Sequence, residues 1–170
     1  MAHGDNPSLL NDSGAQFDET RADRYRLWRR WDATREKLVM VLLNPSTADE
    51  VHNDPTVERC ERRARRLGFG QLEIVNLFAL RSTDPSALHD SKVDPIGPAN
   101  DAAIMGSVAD AAMVLCGWGS HGELLGRGSA VIRMLRGAGV RLHALALTKQ
   151  GHPTHPLYIG YDVMPFELTH

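Results

Sequence analysis

Leu38-Val39-Met40-Val41-Leu42-Leu43-Asn44-Pro45-Ser46 is the stretch on which the fold turns. Its apolar run is too short to cross a bilayer, and no polar residues alternate with the apolar ones as they would in a strand with one wet face. A short unbroken apolar run that stops at Asn-Pro-Ser reads as a strand buried on both faces and ended by a turn. Strands of that kind occur in sheets covered by helices on both sides, so the flanking sequence is expected to alternate helix and strand.

Downstream it does. Asp54-Pro55 supplies an N-cap and a first-turn proline, after which Val57, Cys60, Ala64 and Leu67 recur on one face before Gly68. Arg59, Arg62, Arg63, Arg65 and Arg66 fall mainly on the opposite face, interleaved with Glu58 and Glu61, which reads as a solvated helix surface more than a phosphate track. Residues 72–78 form a second buried strand, and Asp84-Pro85 opens a short helix. A helix over 98–109 and a third strand over 112–116 follow, the strand closing on Gly117-Trp118-Gly119. Leu124, Leu125, Val131, Ile132 and Leu135 point inward from a helix over 122–136, with Gly137 as its stop. The fourth strand spans 142–147.

Upstream, residues 24–31 alternate with a period of two and read as an antiparallel edge strand, whereas residues 1–20 are polar and form an arm outside the core. The expected architecture is a single α/β domain over residues 21–170, a three-layer αβα arrangement around a mostly parallel, four-stranded central sheet.

Composition limits the function classes. With 170 residues, 42% hydrophobic and 24% charged, the chain suits one globular domain, and it contains no long apolar span. The N-terminus lacks the basic and apolar pattern of a secretory signal, so a cytoplasmic protein with no membrane association is expected. Cys60 and Cys116 stand alone, which suits core thiols rather than a disulfide framework or a cysteine metal knuckle. A net charge of −2 gives no global attraction to phosphate, so any contact with nucleic acid must be local.

Ligands of open parallel sheets bind beyond the carboxyl ends of the strands. Asn44, Pro45 and Ser46 follow the first strand, Asn76 and Phe78 close the second, Trp118 follows the third, and His152, His155, Leu157 and Tyr158 follow the fourth. Each has a plainer reading as a turn, a cap, a core residue or a stiffened loop. Asn76 within Ile-Val-Asn-Leu-Phe weighs against that reading, because a buried amide is costly unless something bonds it. The Gly-rich segment 117–122 has neither phosphate-loop nor dinucleotide spacing, and neither Ser46 nor Ser120 sits in a Gly-x-Ser-x-Gly elbow.

Three blocks carry a resemblance: Leu43-Asn44-Pro45-Ser46-Thr47-Ala48-Asp49, Val75-Asn76-Leu77-Phe78-Ala79-Leu80-Arg81-Ser82-Thr83, and Gly151-His152-Pro153-Thr154-His155-Pro156-Leu157-Tyr158. Over residues 25–158 the chain resembles an uncharacterised bacterial and phage family, domain-of-unknown-function family 1643, which brings no established activity. More distantly, the order of the blocks is similar to that of the uracil-DNA glycosylase superfamily. That resemblance implies roles: Asn44 places an attacking water, Asn76 reads the edge of an extruded base, and His155 stabilises the departing base anion. Pro45, Ser46, Phe78 and Trp118 would line the pocket, and Leu157 or Tyr158 would be the wedge.

His152-Pro153-Thr154 competes with His155-Pro156 for the catalytic histidine, and Leu42 stands where the superfamily usually has glycine. Two cysteines cannot hold the iron–sulfur cluster of some members. Neither cofactor nor metal is implied. The resulting expectation is a protein that recognises a nucleobase in nucleic acid or in a nucleotide and cleaves its N-glycosidic bond. The alternatives are a non-catalytic module that binds a modified base and a small-molecule nucleotide enzyme.

Overall fold

The structure, a computed structural model, describes residues 12–169. At its centre lies β3, Lys37–Leu42, buried along its whole length. Because side chains alternate across a strand, Leu38, Met40 and Leu42 enter one core cluster while Val39 and Val41 enter another. Helix α1, Pro55–Arg66, covers the first cluster with Val57, Cys60 and Ala64, and it starts where Asp54 accepts the Val57 N–H at 2.9 Å. Helices α2, Asn100–Val108, and α3, Arg127–Gly137, cover the second with Ile104, Val108, Val131 and Leu135.

The described residues thus form an α/β fold of three helices around a single mixed sheet of seven strands. The remaining strands are β1 (Asp12–Phe17), β2 (Arg24–Arg30), β4 (Gln71–Asn76), β5 (Met113–Cys116), β6 (Leu142–Ala144) and β7 (Phe166–Glu167). Their order is β1-β2-β4-β3-β5-β6-β7. Pairing is parallel for β4 with β3, β3 with β5 and β5 with β6, and antiparallel for β1 with β2, β2 with β4 and β6 with β7. Leu42 pairs with Asn76 and Val41 with Cys116, so the carboxyl ends of β3, β4 and β5 open on one edge.

Several elements depart from the sequence expectation. Of the arm expected over residues 1–20, residues 1–11 lie outside the described residues, and Asp12–Phe17 is a strand. Backbone pairing with β2 carries it rather than apolar alternation, and Gly14 lets the Trp28 ring lie across it, since a Cβ there would fall 2.3 Å from that ring. β2 is therefore flanked on both sides and is not an edge strand. The fourth expected strand is shorter, ending at Ala144. The helix expected over 122–136 begins at Arg127, after 3-10 turns over Ser120–Gly126, with Gly126 and Leu125 at positive φ. Leu125 is consequently 66% exposed rather than inward, while Arg127 is buried and donates from Nε to the Leu77 carbonyl at 2.8 Å.

Arg62 and Arg65 pair with Glu58 and Glu61 on the expected solvated face of α1, but Arg63 and Arg59 depart from it. Arg63 is 1% exposed, and its Nη2 donates to the Ile159 carbonyl at 2.7 Å while Nη1 donates to Val163 at 3.3 Å. Arg59 adds a bond from Nη2 to the same Ile159 carbonyl at 2.8 Å. Glu73, fully buried in the sheet, pairs with Arg26 and with Lys37, the latter at 3.2 Å. No helix among the described residues is long and apolar enough to cross a membrane.

Replacing Arg63 by methionine keeps the apolar stem and removes the donors. Hydrogen bonds from a charged group contribute about 1.5–3 kcal/mol each, and Arg59 continues to serve one of the two carbonyls. The expected loss is about 2–3 kcal/mol in urea denaturation. Faster proteolysis within residues 156–165 should accompany it. Unchanged stability would mean that the C-terminal segment is held without the Arg63 bonds.

Candidate functional site

The loops that follow β3, β4, β5 and β6 enclose a cleft of about 530 Å³, lined in part by Asn44, Ser46, Trp118, His155, Leu157 and Tyr158. Thr56, Ser82, Thr83, Ser120, Thr148 and Thr154 complete much of the wall. A larger groove of about 670 Å³ lies elsewhere, among Met105, Val140 and His143, and contains none of the residues singled out by the strand-end reasoning. Position at the carboxyl edge of the parallel strands makes the smaller cleft the candidate site.

Asn44 is fixed by its surroundings. Its Nδ2 donates to the carbonyls of Pro45 at 3.1 Å, Leu80 at 3.3 Å and Ser82 at 3.0 Å. Carbonyl oxygens need a donor, so these contacts assign the amide orientation and leave Oδ1 as the acceptor that Asn44 can offer to a ligand. The two loops it joins are further tied by the Ser82 N–H to Pro45 at 2.8 Å and by Arg81 Nε to Ser46 at 3.1 Å.

His155 caps the 3-10 turn Pro156–Tyr158, its Nδ1 accepting the Leu157 N–H at 3.2 Å. With Nδ1 used as an acceptor, the neutral ring carries its proton on Nε2. Burial lowers the pKa below the ordinary 6.5, and the charge of Asp54 opposes that shift. His155 is therefore a neutral imidazole near pH 7, able to donate from Nε2. Its loop reaches the sheet because Gly117 has no side chain: a Cβ there would fall 2.9 Å from Pro156 Cδ. The Gly119 N–H also donates to the Pro153 carbonyl at 2.7 Å.

Asn76 is 2% exposed and lines a separate slot of about 30 Å³, together with Arg24, Leu42, Asp54 and Ile74. Asn44, Ser46 and Thr56 line both cavities, so the slot adjoins the cleft. The Asn76 side-chain Oδ1 is buried without a partner, while its backbone carbonyl accepts from Asn100 Nδ2 at 2.9 Å.

Among the other residues singled out from sequence, Pro45 lines the slot, and Leu157 and the 85%-exposed Tyr158 line the cleft. Trp118 is buried against Gly122 and Gly128, where added Cβ atoms would fall 2.1 Å and 3.0 Å from its ring. Phe78 lies wholly in the core and lines neither cavity. His152 is half-buried with Nε2 at 3.5 Å from Glu123 and does not line the cleft, so of the two histidines only His155 faces it. Sequence reasoning missed Arg24 and the serine and threonine wall. A charged residue at the start of an alternating strand was the available signal for Arg24; isolated Ser and Thr in loops carry none.

The cleft lining contains histidine, asparagine, serine and threonine but no carboxylate, lysine or arginine among the described residues. It can donate to a developing anion and orient a polar group, but it offers no carboxylate base. No group of three or more His, Cys, Asp or Glu among the described residues could hold a metal ion.

The chain matches the model of the family described as a protein of unknown function (DUF1643) over residues 24–157, most of its length, and belongs to that family. No curated protein and no solved structure matches it.

Two measurements follow from this geometry. Asn44→Ala should cost about 1–3 kcal/mol through lost donors to loop carbonyls, and Asn44→Asp should cost more, because a carboxylate would face those carbonyls. Equal stability of the two variants in urea would mean the amide orientation is reversed. For His155, a folded pKa below 6.5 means the unfolded chain binds more protons. Stability from this group is present above 6.5 and is lost as pH falls through the folded value. Between about pH 7 and about pH 5, His155→Gln should therefore lose less stability than the parent. Parallel pH profiles would remove the buried neutral imidazole.

Proposed function

We propose that the cleft recognises a nucleobase and that the protein is a glycosylase-like catalyst of N-glycosidic bond cleavage, built on a fold like that of the uracil-DNA glycosylase superfamily. The parallel β4-β3-β5-β6 core between helical layers suits that fold. The observation that carries the reading is the pairing of a neutral His155, donating from Nε2, with the Asn44 Oδ1 acceptor in one cleft.

In the reaction, the bond between the base nitrogen and the anomeric carbon breaks and its electron pair leaves with the base. Water adds to the oxocarbenium-like carbon and releases a proton to the base or to solvent. His155 Nε2–H stabilises the departing anion, and Asn44 Oδ1 accepts a hydrogen bond from the water. An amide cannot take the proton at neutral pH, so turnover is slow. Leu157 and Tyr158 fill the space vacated by the base, and Asn76 reads its edge from the slot.

A cleft lining without lysine or arginine, together with a net charge of −2, favours a second reading of the substrate as a free nucleoside or nucleotide rather than a nucleic-acid strand.

Single-turnover cleavage of single- and double-stranded oligonucleotides carrying uracil, hypoxanthine or bulky pyrimidines, and of the corresponding nucleosides, tests both readings. Loss of an anion-stabilising donor typically lowers the rate by about 100–1000-fold, so His155→Ala should fall by that order and Asn44→Ala by less. Parent-like cleavage by His155→Ala with an inactive His152→Ala would move the role to His152. A parent that binds these bases in the cleft yet cleaves none is a recognition module.

A further inference from the structure

At the amino edge of the sheet, opposite the cleft, the chain leaves a second cavity open. Helices α2 and α3 both end there, and the turns that lead from them into β5 and β6 border a groove of about 670 Å³. Met105 and Val108 of α2, Met113 at the start of β5 and Val140 before β6 give it apolar walls. Its size falls within the roughly 300–1,000 Å³ of small-molecule sites, which usually combine apolar walls with a few polar groups.

The polar groups here are few and of one kind. Among the described residues, Arg141 is the one side chain with a permanent charge in the lining, and it is exposed, with no hydrogen bond or ion pair of its own. His143 also lines the groove, and its Nδ1 is buried without a partner, which leaves Nε2 as the ring nitrogen open to a ligand. Two carboxylates border the groove without lining it. Asp110, in the turn between α2 and β5, pairs with Lys37, and Glu167 stands opposite His143 in the ladder of β6 with β7. Helix ends add partial negative charge, but turn amides cover it: Ala111 N–H donates to Val108 at 3.2 Å, Gly139 to Arg136 at 2.9 Å and Val140 to Leu135 at 3.0 Å. An anionic group is therefore favoured beside Arg141, and an uncharged apolar body along the methionine and valine walls.

We propose that this groove is a second binding site, for a small amphiphile that sets a carboxylate head at Arg141 and an apolar body against Met105, Met113 and Val140. The inference does not rest on the base-binding reading, since groove and cleft share no lining residue. Burial of the body supplies most of the affinity, and the flexible methionine side chains adapt to its shape. The guanidinium selects the head, because it meets a carboxylate with paired N–H donors and repels a cation. A carboxylate without a body would gain only an exposed ion pair, which contributes little.

The test titrates the full chain, labelled at its methionine methyl groups, with octanoate, octylammonium and acetate at neutral pH and below micelle-forming concentrations. NMR signals of Met105 and Met113 report on the groove, and Met40, fully buried in the other core cluster, is the control. Octanoate should shift Met105 and Met113 saturably and leave Met40 unmoved, octylammonium should bind roughly tenfold more weakly, and acetate should not saturate. Arg141→Gln alters an exposed side chain that the fold does not use, so the variant should fold, bind octanoate roughly fivefold more weakly and bind octylammonium no more weakly than the parent does. Equal binding of the two heads, or parent-like binding of octanoate by Arg141→Gln, would overturn the inference. Silent Met105 and Met113 signals, or shifts that spread to Met40 without saturating, would overturn it as well.

Discussion

Beyond the last residues of β3 and β4 the backbone leaves the sheet while staying largely buried, and its carbonyls must find donors there or the fold bears the cost. Side chains meet that requirement. Asn44 serves Leu80 and Ser82, Asn100 serves Asn76 and Leu77, and Arg127 serves Leu77 again. On the opposite side Arg29 serves Asp49 and His52, Arg24 serves Ala48, and Arg63 serves Ile159. Arginine and asparagine suit this work because they present several fixed donors to carbonyls that converge from different loops. The carboxyl edge of the sheet is therefore held by a network of side-chain-to-backbone bonds as much as by apolar contact.

That network shapes the chemistry of the cleft. Asn44 turns its NH₂ into the loops, so only its oxygen is left for a ligand. His155 uses Nδ1 to cap its own turn, so only the Nε2–H is left. In both cases the structural bond fixes which atom is free, and the free pair is an acceptor and a donor held on loops that are themselves tied down. Preorganised polarity of this kind is effective because it costs no reorientation when a ligand arrives. Beneath the cleft the network stops short, and Arg24 Nε and Asn76 Oδ1 are buried without partners.

Charge is divided between structural and exposed roles in a similar way. The Glu73, Lys37 and Arg26 group is internally paired within and beside the sheet, and Arg62 and Arg65 pair with Glu58 and Glu61 on the surface of α1. Arg59 and Arg63, from the same helix, reach the segment after His155 instead and also lie near the Tyr161 ring, at 4.5 Å and 5.4 Å from its centroid. An apparently basic helix is thus in part a clamp on the loop that carries the histidine.

The amino-acid sequence by itself determined the elements whose cause is local. The apolar run 38–43 had to be covered on both faces, Asp54-Pro55 had to start a helix, and polar residues at successive strand ends marked the edge where a cleft opens. Family membership was also legible, since the motif blocks are contiguous in the chain. Tertiary structure alone decided what depends on partners distant in sequence. The pairing of Asp12–Phe17 comes from a neighbouring ladder rather than from its own pattern, and the exposure of Leu125 follows from a left-handed turn that periodicity does not register. The choice of His155 over His152 for the cleft depends on how one loop crosses Gly117, while the burial of Arg24 and Arg63 depends on carbonyls contributed by other segments. Local propensity fixes where strands and helices begin, but which polar atoms are left without a partner is settled only when all the segments have packed.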